Sequence, residues 1–298
     1  MTDLILSLTW GTLYYATPLT LAAMGGVLSE KAGVVNIALE GFILAGAFAG
    51  VCAADVSSRY GVFLSNVIGI FAAVVVGALL GLLHAFLTQK TRMDHVVSGL
   101  GINLLASGAT QYLYLHEYPQ GLTVTGIPRW MFLVAAVVLP FIVQFLLVRT
   151  HWGLKLRAVG ESCEGAFMAG VSALPVRFAA VTLSGVLAAL GGAYLSLADD
   201  HNFSTDVSAG KGYIALAAVI FGKWNPLGAA GGALFFGFFY ALQTELQIRH
   251  ISAHFLGISW TNSFLLDMLP YIMTIVALAS VIGRAVPPAD LGREELAG

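Results

Sequence analysis

The chain is built largely of stretches that lack Asp, Glu, Lys and Arg and are as long as a bilayer is thick. Crossing about 30 Å of hydrocarbon takes roughly 20 helical residues at about 1.5 Å each. Leu4–Ser29, Tyr60–Gln89, His95–His116, Trp130–Val148, Phe178–Ala198 and Trp224–Thr244 meet that length with no charge inside them. Val34–Ala54 and Ser263–Gly283 meet it if one acid each is tolerated, Glu40 and Asp267. Lipid offers no water to an unpaired backbone, so such spans are expected to be α-helices. Composition agrees, since only 10% of the residues are charged and the mean hydropathy is +0.85. A hydrated surface needs roughly 25% charge, which excludes a water-soluble enzyme. The 14 basic and 16 acidic residues give a net charge of −2, so there is no phosphate-tracking surface and nucleic acid is not the partner. Met1-Thr2-Asp3 lacks the basic start of a signal peptide, so the first run is expected to stay as a helix.

Basic residues between the spans set the orientation. Arg149, Lys155, Arg157 and Arg177 share one connection, and Lys90 with Arg92 share another on the same side, which the positive-inside rule makes cytoplasmic. Lys31 and Lys223 then fall inside too. The count closes with the N-terminus outside and the tail Arg284–Gly298 inside only if a short crossing lies at about Gly212–Gly222. That segment is too short for a full span, so it reads as a half-helix or interrupted helix leading into the turn Gly222-Lys223-Trp224-Asn225-Pro226, the whole feature covering 212–226. Irregular backbone at membrane depth is tolerated where protein buries it or where it lines a polar cavity, so the interruption points toward a transport path. The expectation is an all-α polytopic membrane protein of about eight full helices and one short one. Residues 1–283 would form a single transmembrane domain and 284–298 a cytoplasmic tail. Glycines four apart, as at Gly46/Gly50, Gly77/Gly81 and Gly228/Gly232, are expected at helix contacts.

Two features stand out against this background. The cytoplasmic connection Arg149–Arg177 is the longest polar segment, and within it Glu161 and Ser162 can start a helix that Gly170 stops. Ala166, Phe167, Met168 and Ala169 give that helix an apolar patch, which either lies on the membrane and the bundle or docks another protein. The second feature is the string Glu30–Gly41. A helix from Gly33 would put Asn36 and Glu40 one turn apart on one face. An ionised carboxylate at that depth costs at least about 2.5 kcal/mol unless partnered or facing a polar cavity, so Glu40 is either internal glue or a ligand contact. Asn103 and Gln111, His84 and Asp267 are weaker candidates of the same kind. No phosphate-binding G-x-x-x-x-G-K-[ST] loop, H-E-x-x-H string or G-x-S-x-G elbow occurs, so no metal site or catalytic residue is assigned. Cys52 and Cys163 are expected near opposite membrane faces and form no framework.

Three stretches carry a resemblance. GGVLSEKAGVVNIALEGFILAGAFAG (Gly25–Gly50), THWGLKLRAVGESCEGAFMAGV (Thr150–Val171) and GYIALAAVIFGKWNPLGAAGGALFFG (Gly212–Gly237) resemble permease subunits of bacterial ATP-binding cassette (ABC) importers. The resemblance runs from roughly Tyr14 to Gly283 and is closest to the nucleoside-type branch of the ribose and branched-chain amino acid permeases; DHVVSGLGINLLASG (Asp94–Gly108) points the same way. It implies a multi-pass protein of the bacterial inner membrane that pairs with a second, different permease chain. It further implies ATPase subunits that carry ATP and Mg themselves, so that no cofactor binds this chain, and an extracytoplasmic lipoprotein that delivers nucleoside. Glu161, Ser162, Ala166, Phe167, Met168 and Gly170 would then be the ATPase contact, and Asn36, Glu40 and Asn103 would border the substrate pathway. The rivals are a permease for ribose or another small solute, an ion-coupled secondary transporter, and a membrane enzyme. The first keeps the architecture and changes the cargo. The second should show an inverted repeat, and none is visible.

Overall fold

Four helices start where a short polar side chain satisfies the first free N–H groups. Asp94 accepts from the N–H groups of Val96 and Val97 (both 2.9 Å), Thr150 from Gly153 (3.0 Å) and Ser162 from Gly165 (3.0 Å). Asn225 does the same for Leu227 and Gly228. The computed structural model describes residues 2–248, 254–255, 258–259, 268–280 and 285–293. The helices are α1 (Thr2–Lys31), α2 (Leu39–Val56), α3 (Val62–Gln89), α4 (His95–Glu117), α5 (Arg129–Arg149), α6 (His151–Glu161), α7 (Cys163–Met168), α8 (Ala173–Tyr194), α9 (Lys211–Phe221), α10 (Pro226–Ile248) and α11 (Leu269–Ser280). A π-helical turn, Leu195–Asp199, continues α8, and His254–Phe255 pairs antiparallel with Ile258–Ser259.

Against about eight expected full spans, five described helices combine the length and the apolarity to cross a membrane: α2, α3, α5, α8 with its π turn, and α10. Helices α1 and α4 have the length, with 30 and 23 residues. Helix α9 is apolar and short, as the interrupted crossing required. The expected last span is described only as α11, and Asp267 lies outside the described residues.

Helix α8 forms the centre of the packing because small residues let three neighbours approach its backbone. A Cβ on Gly77 of α3 would lie 2.4 Å from the Gly185 carbonyl oxygen, and one on Gly46 of α2 would lie 2.5 Å from Ala189. Arg177, fully buried at the start of α8, donates to the Ala32 carbonyl (3.1 Å) and to Gln89 Oε1 (3.0 Å), locking the ends of α1 and α3 together. Helix α3, about 42 Å long, separates the two ends of the bundle. At one end Asn66 bonds the Thr125 carbonyl, Val124 bonds the His201 carbonyl, and Arg129 pairs with Asp199 at 3.0 Å. At the other end Arg177, Gln89, the α6–α7 pair and the tail meet. The connections expected to share a side therefore do lie together.

Two local expectations are corrected. Residues Arg149–Arg177 are not a long loop with one helix but two consecutive helices, α6 and α7, with Glu161 closing the first and Ser162 capping the second. Residues 33–38 are not helical, because Gly33 sits at φ +89° in the left-handed region and ends the α1 geometry. Asn36 and Glu40 therefore do not share a helix face.

Candidate functional site

The chain leaves helix at Ala32 and re-enters it at Leu39, and side chains of α1, α3, α4 and α8 take up many of the polar groups freed by that break. Ser29 holds both sides of the break, accepting the Val34 N–H on its carbonyl (3.1 Å) and donating its hydroxyl to the Val34 carbonyl (2.8 Å). His95 accepts from the Val35 N–H (3.2 Å), while His84 bridges the Val35 carbonyl (3.1 Å) and the Ser98 hydroxyl (2.9 Å). His84 is thus a packing group. Asn36, fully buried, accepts from the Ala38 N–H (3.1 Å) and donates to Ser184 Oγ of α8 (2.7 Å).

Two helix starts abut just beyond the break. Asn103 of α4 accepts from the Gly41 N–H (2.8 Å) and donates to the Ile37 carbonyl (3.0 Å), capping α2 from a neighbouring helix. Glu40 reaches the other start: its two carboxylate oxygens accept from the N–H groups of Gly210 (2.9 Å) and Gly212 (2.6 Å), at the beginning of α9. An anion there is favoured by the helix dipole and by charge-assisted hydrogen bonds. The contact is tight, for a Cβ on Gly212 would sit 2.3 Å from the Glu40 nitrogen. Asn103 also donates to the hydroxyl of Tyr213 on α9 (3.1 Å), and Tyr271 of α11 bonds the Ala209 carbonyl (2.9 Å). Tyr213 is 45% exposed and Asn103 only 8%, so the phenol is the accessible edge of the group.

Of the sequence candidates, Glu40 and Asn103 are brought together through α9, Asn36 lies on the other side of the break against α8, and Gln111 is exposed farther along α4. Sequence reasoning missed Ser184 and Tyr213. The signal available was Gly210-Lys211-Gly212, two glycines framing the start of the short helix, since a backbone that must meet a carboxylate needs room there. Chemically the arrangement gathers an amide, a phenol and a carboxylate where two membrane helices begin, with the amide and the carboxylate bonded within the protein and the phenol left as the open edge.

A second polar constellation lies at the end where α6 and α7 project. Ala166 is buried, whereas Phe167 and Met168 are 52% and 74% exposed, and Gly170 ends the turn at φ +80°. The outward apolar patch is therefore Phe167, Met168 and Ala169, without Ala166. Asp290 of the tail accepts from the Cys163 N–H (2.5 Å) while its own N–H donates to the Gly160 carbonyl (3.0 Å), and the Gly292 N–H donates to the Gly33 carbonyl (3.0 Å). Residues 285–293 thus tie the α6–α7 junction to the break after α1. Cys52 and Cys163 are both free thiols.

A helical multi-pass membrane protein with its polar groups gathered at interrupted spans, and a helix pair set between two spans, has the build of a permease. Residues 8–278 match the family described as branched-chain amino acid transport system / permease component, and the chain belongs to that family. It is 36% identical to a nucleoside ABC transporter permease protein, NupC, of Lactococcus lactis, over 93% of this chain and 92% of that one. It is 37% identical to a guanosine ABC transporter permease protein, NupQ, of Bacillus subtilis, over 94% and 93%. A second nucleoside permease protein of Lactococcus lactis, NupB, is 23% identical over 76% of this chain and 69% of its own length. The chain is a permease-family, multi-pass membrane protein.

Proposed function

We propose that this chain is one permease subunit of an ATP-driven importer of nucleosides, working by alternating access in the inner membrane of a bacterium. The observation that carries the reading is the 36–37% identity, over more than nine-tenths of each chain, to permeases named for nucleosides and for guanosine. The second permease is a different chain. Lactococcus lactis holds two nucleoside permease proteins, and this sequence is nearer to one of them, at 36% against 23%, which supports a partner of the other type. ATPase subunits holding ATP and Mg dock on the Phe167–Met168 patch of α7, with Glu161, Ser162, Ala166 and Gly170 fixing that helix. An extracytoplasmic lipoprotein delivers the substrate. Residues 1–283 are the transmembrane unit, with the N-terminus outside and the basic end of the bundle inside.

In this reading Asn36, Glu40 and Asn103 border the pathway chiefly by shaping it. Their side chains spend their hydrogen bonds on the breaks in α2 and α9, so movement of either helix start changes the accessible edge at Tyr213. The α6–α7 pair reaches the same break through the tail, which gives ATPase movement a mechanical route to the site. The test is uptake into vesicles reconstituted with this chain, a second permease, the ATPase and the lipoprotein. Labelled guanosine should accumulate with ATP, and labelled ribose or leucine should not. Accumulation of ribose alone would move the reading to a sugar importer. Uptake driven by an ion gradient without ATP would overturn it.

A further inference from the structure

Two cavities lie end to end along the seam between α5 and α10, and their chemistry changes from apolar to cationic at the bundle's basic end. The first is a groove of about 270 Å³ bounded by α1, α5 and α10, with Ala16, Thr20, Pro140, Phe141, Gly231 and Leu234 in its walls. The Thr17 and Thr20 hydroxyls bond the carbonyls of Leu13 and Ala16 on their own helix (both 2.8 Å), so they present methyl groups rather than donors. The second cavity, about 180 Å³, is bounded by Lys31, Gln144, Arg157, Lys223, Trp224 and Asn225. The two are successive stretches of one seam. On α5, Phe141 of the groove is followed one turn later by Gln144 of the pocket, and on α10, Leu227 of the groove adjoins Pro226 of the pocket.

The pocket is electrostatically incomplete. Among the described residues no carboxylate forms an ion pair with Lys31, Arg157 or Lys223. Glu161 is the acid whose field reaches Lys31, and its carboxylate accepts from the Ala289 N–H (3.4 Å). Arg157 Nε and Gln144 Oε1 are buried without a hydrogen-bond partner. The turn that carries Lys223 is strained, since Lys223 and Trp224 both adopt left-handed backbone, φ 54° and 56°, and Trp224 Nε1 anchors it by donating to Glu30 Oε2 at 2.5 Å.

We propose that this seam seats one anionic phospholipid, its phosphate in the Lys31–Arg157–Lys223 pocket and an acyl chain in the α1–α5–α10 groove. Charge selects the occupant. Three cations outnumber the two acids beside them, Glu161 near Lys31 and Glu30 bonded to Trp224, so they favour a headgroup of net negative charge and repel the ammonium of phosphatidylcholine. Arg157 and Gln144 supply the unused donor and acceptor for phosphate oxygens and a glycerol hydroxyl. The order along the seam, apolar at mid-helix and cationic at the helix ends, is that of a lipid in a leaflet. A free phosphate fills only the pocket and leaves the groove unexplained.

Native mass spectrometry on the full chain, released from vesicles of equal phosphatidylglycerol and phosphatidylcholine, decides the matter. Phosphatidylglycerol should be retained about tenfold over phosphatidylcholine, and the double variant Arg157→Gln/Lys223→Gln should lose that preference. Gly231→Leu tests the groove with the cations intact, because a Cβ there has no atom within 4 Å and the added side chain grows into the groove. It should release the lipid without unfolding the protein, and if the double variant does not fold, this variant alone decides. Equal retention of the two lipids overturns the proposal, as does full phosphatidylglycerol retention by Gly231→Leu. Binding of inorganic phosphate equally by wild type and Gly231→Leu, with no lipid preference, would make it a free-anion site. Complete loss of the lipid when the ATPase assembles would make the pocket a protein contact.

Discussion

Asn103 closes the start of α2 with its oxygen and steadies Ile37 and Tyr213 with its amide nitrogen. Asn103→Ala leaves the buried Gly41 N–H and the half-buried Ile37 carbonyl unpaired, and the buried group alone costs about 1–3 kcal/mol. A lowered unfolding midpoint together with weakened uptake is expected. Loss of uptake at an unchanged midpoint would instead mean that the amide meets substrate directly. Glu40→Gln keeps the shape and removes one acceptor, so an NH₂ group faces an N–H of Gly210 or Gly212. The loss of charge-assisted bonding should cost about 1.5–3 kcal/mol and loosen the α9 start, reducing uptake severalfold while the subunit still assembles. Uptake at the wild-type level would remove Glu40 from the mechanism. These polar residues were legible in the sequence because an apolar span makes each of them conspicuous. Their partners were not, because the bonds run to backbone N–H groups at the starts of α2 and α9, and helical periodicity carries no trace of where a helix begins.

At the scale of elements, α7 is a six-residue helix that cannot be stable alone and is fixed at its start by two acceptors. Ser162 caps it through Gly165, and Asp290 bonds the Cys163 N–H. Ser162 and Gly170 were readable as start and stop signals. Asp290 was not, since a contact across 127 residues leaves no local pattern. Ala166 was misread as surface, because a six-residue turn has an inward side that the string of apolar residues does not reveal. Phe167→Asp puts a charge on the exposed patch and should abolish ATPase stimulation in the assembled complex with little change in the stability of this chain, measured as substrate-dependent phosphate release. Asp290→Ala leaves the patch intact and removes its anchor. ATP hydrolysis should persist while guanosine transported per ATP falls, because α6–α7 can then move without pulling on the break after α1. An unchanged transport-to-hydrolysis ratio would make the tail a bystander.

At the scale of the whole molecule, the ends of the bundle differ in charge in a way that the spans alone would not require. Arg177, Arg157, Lys31 and Lys223 gather where the tail packs on α6, while the opposite end carries Asp55, Glu117 and Asp199, with Arg129 paired to Asp199 at 3.0 Å. Basic residues resist translocation, so the first end should stay in the cytoplasm and the second should face outward. The prediction is tested with single cysteines in a background where Cys52 and Cys163 are replaced by Ser. Lys155 of α6 and Glu117 at the end of α4 are both exposed, so neither substitution disturbs packing. A membrane-impermeant thiol reagent added to intact cells should modify Glu117→Cys and leave Lys155→Cys untouched until the membrane is opened. The reverse pattern would turn the subunit over and place Phe167 and Met168 on the wrong side for any ATPase. Equal labelling at both positions would mean that the chain inserts in two orientations, which its concentration of cations at one end should prevent.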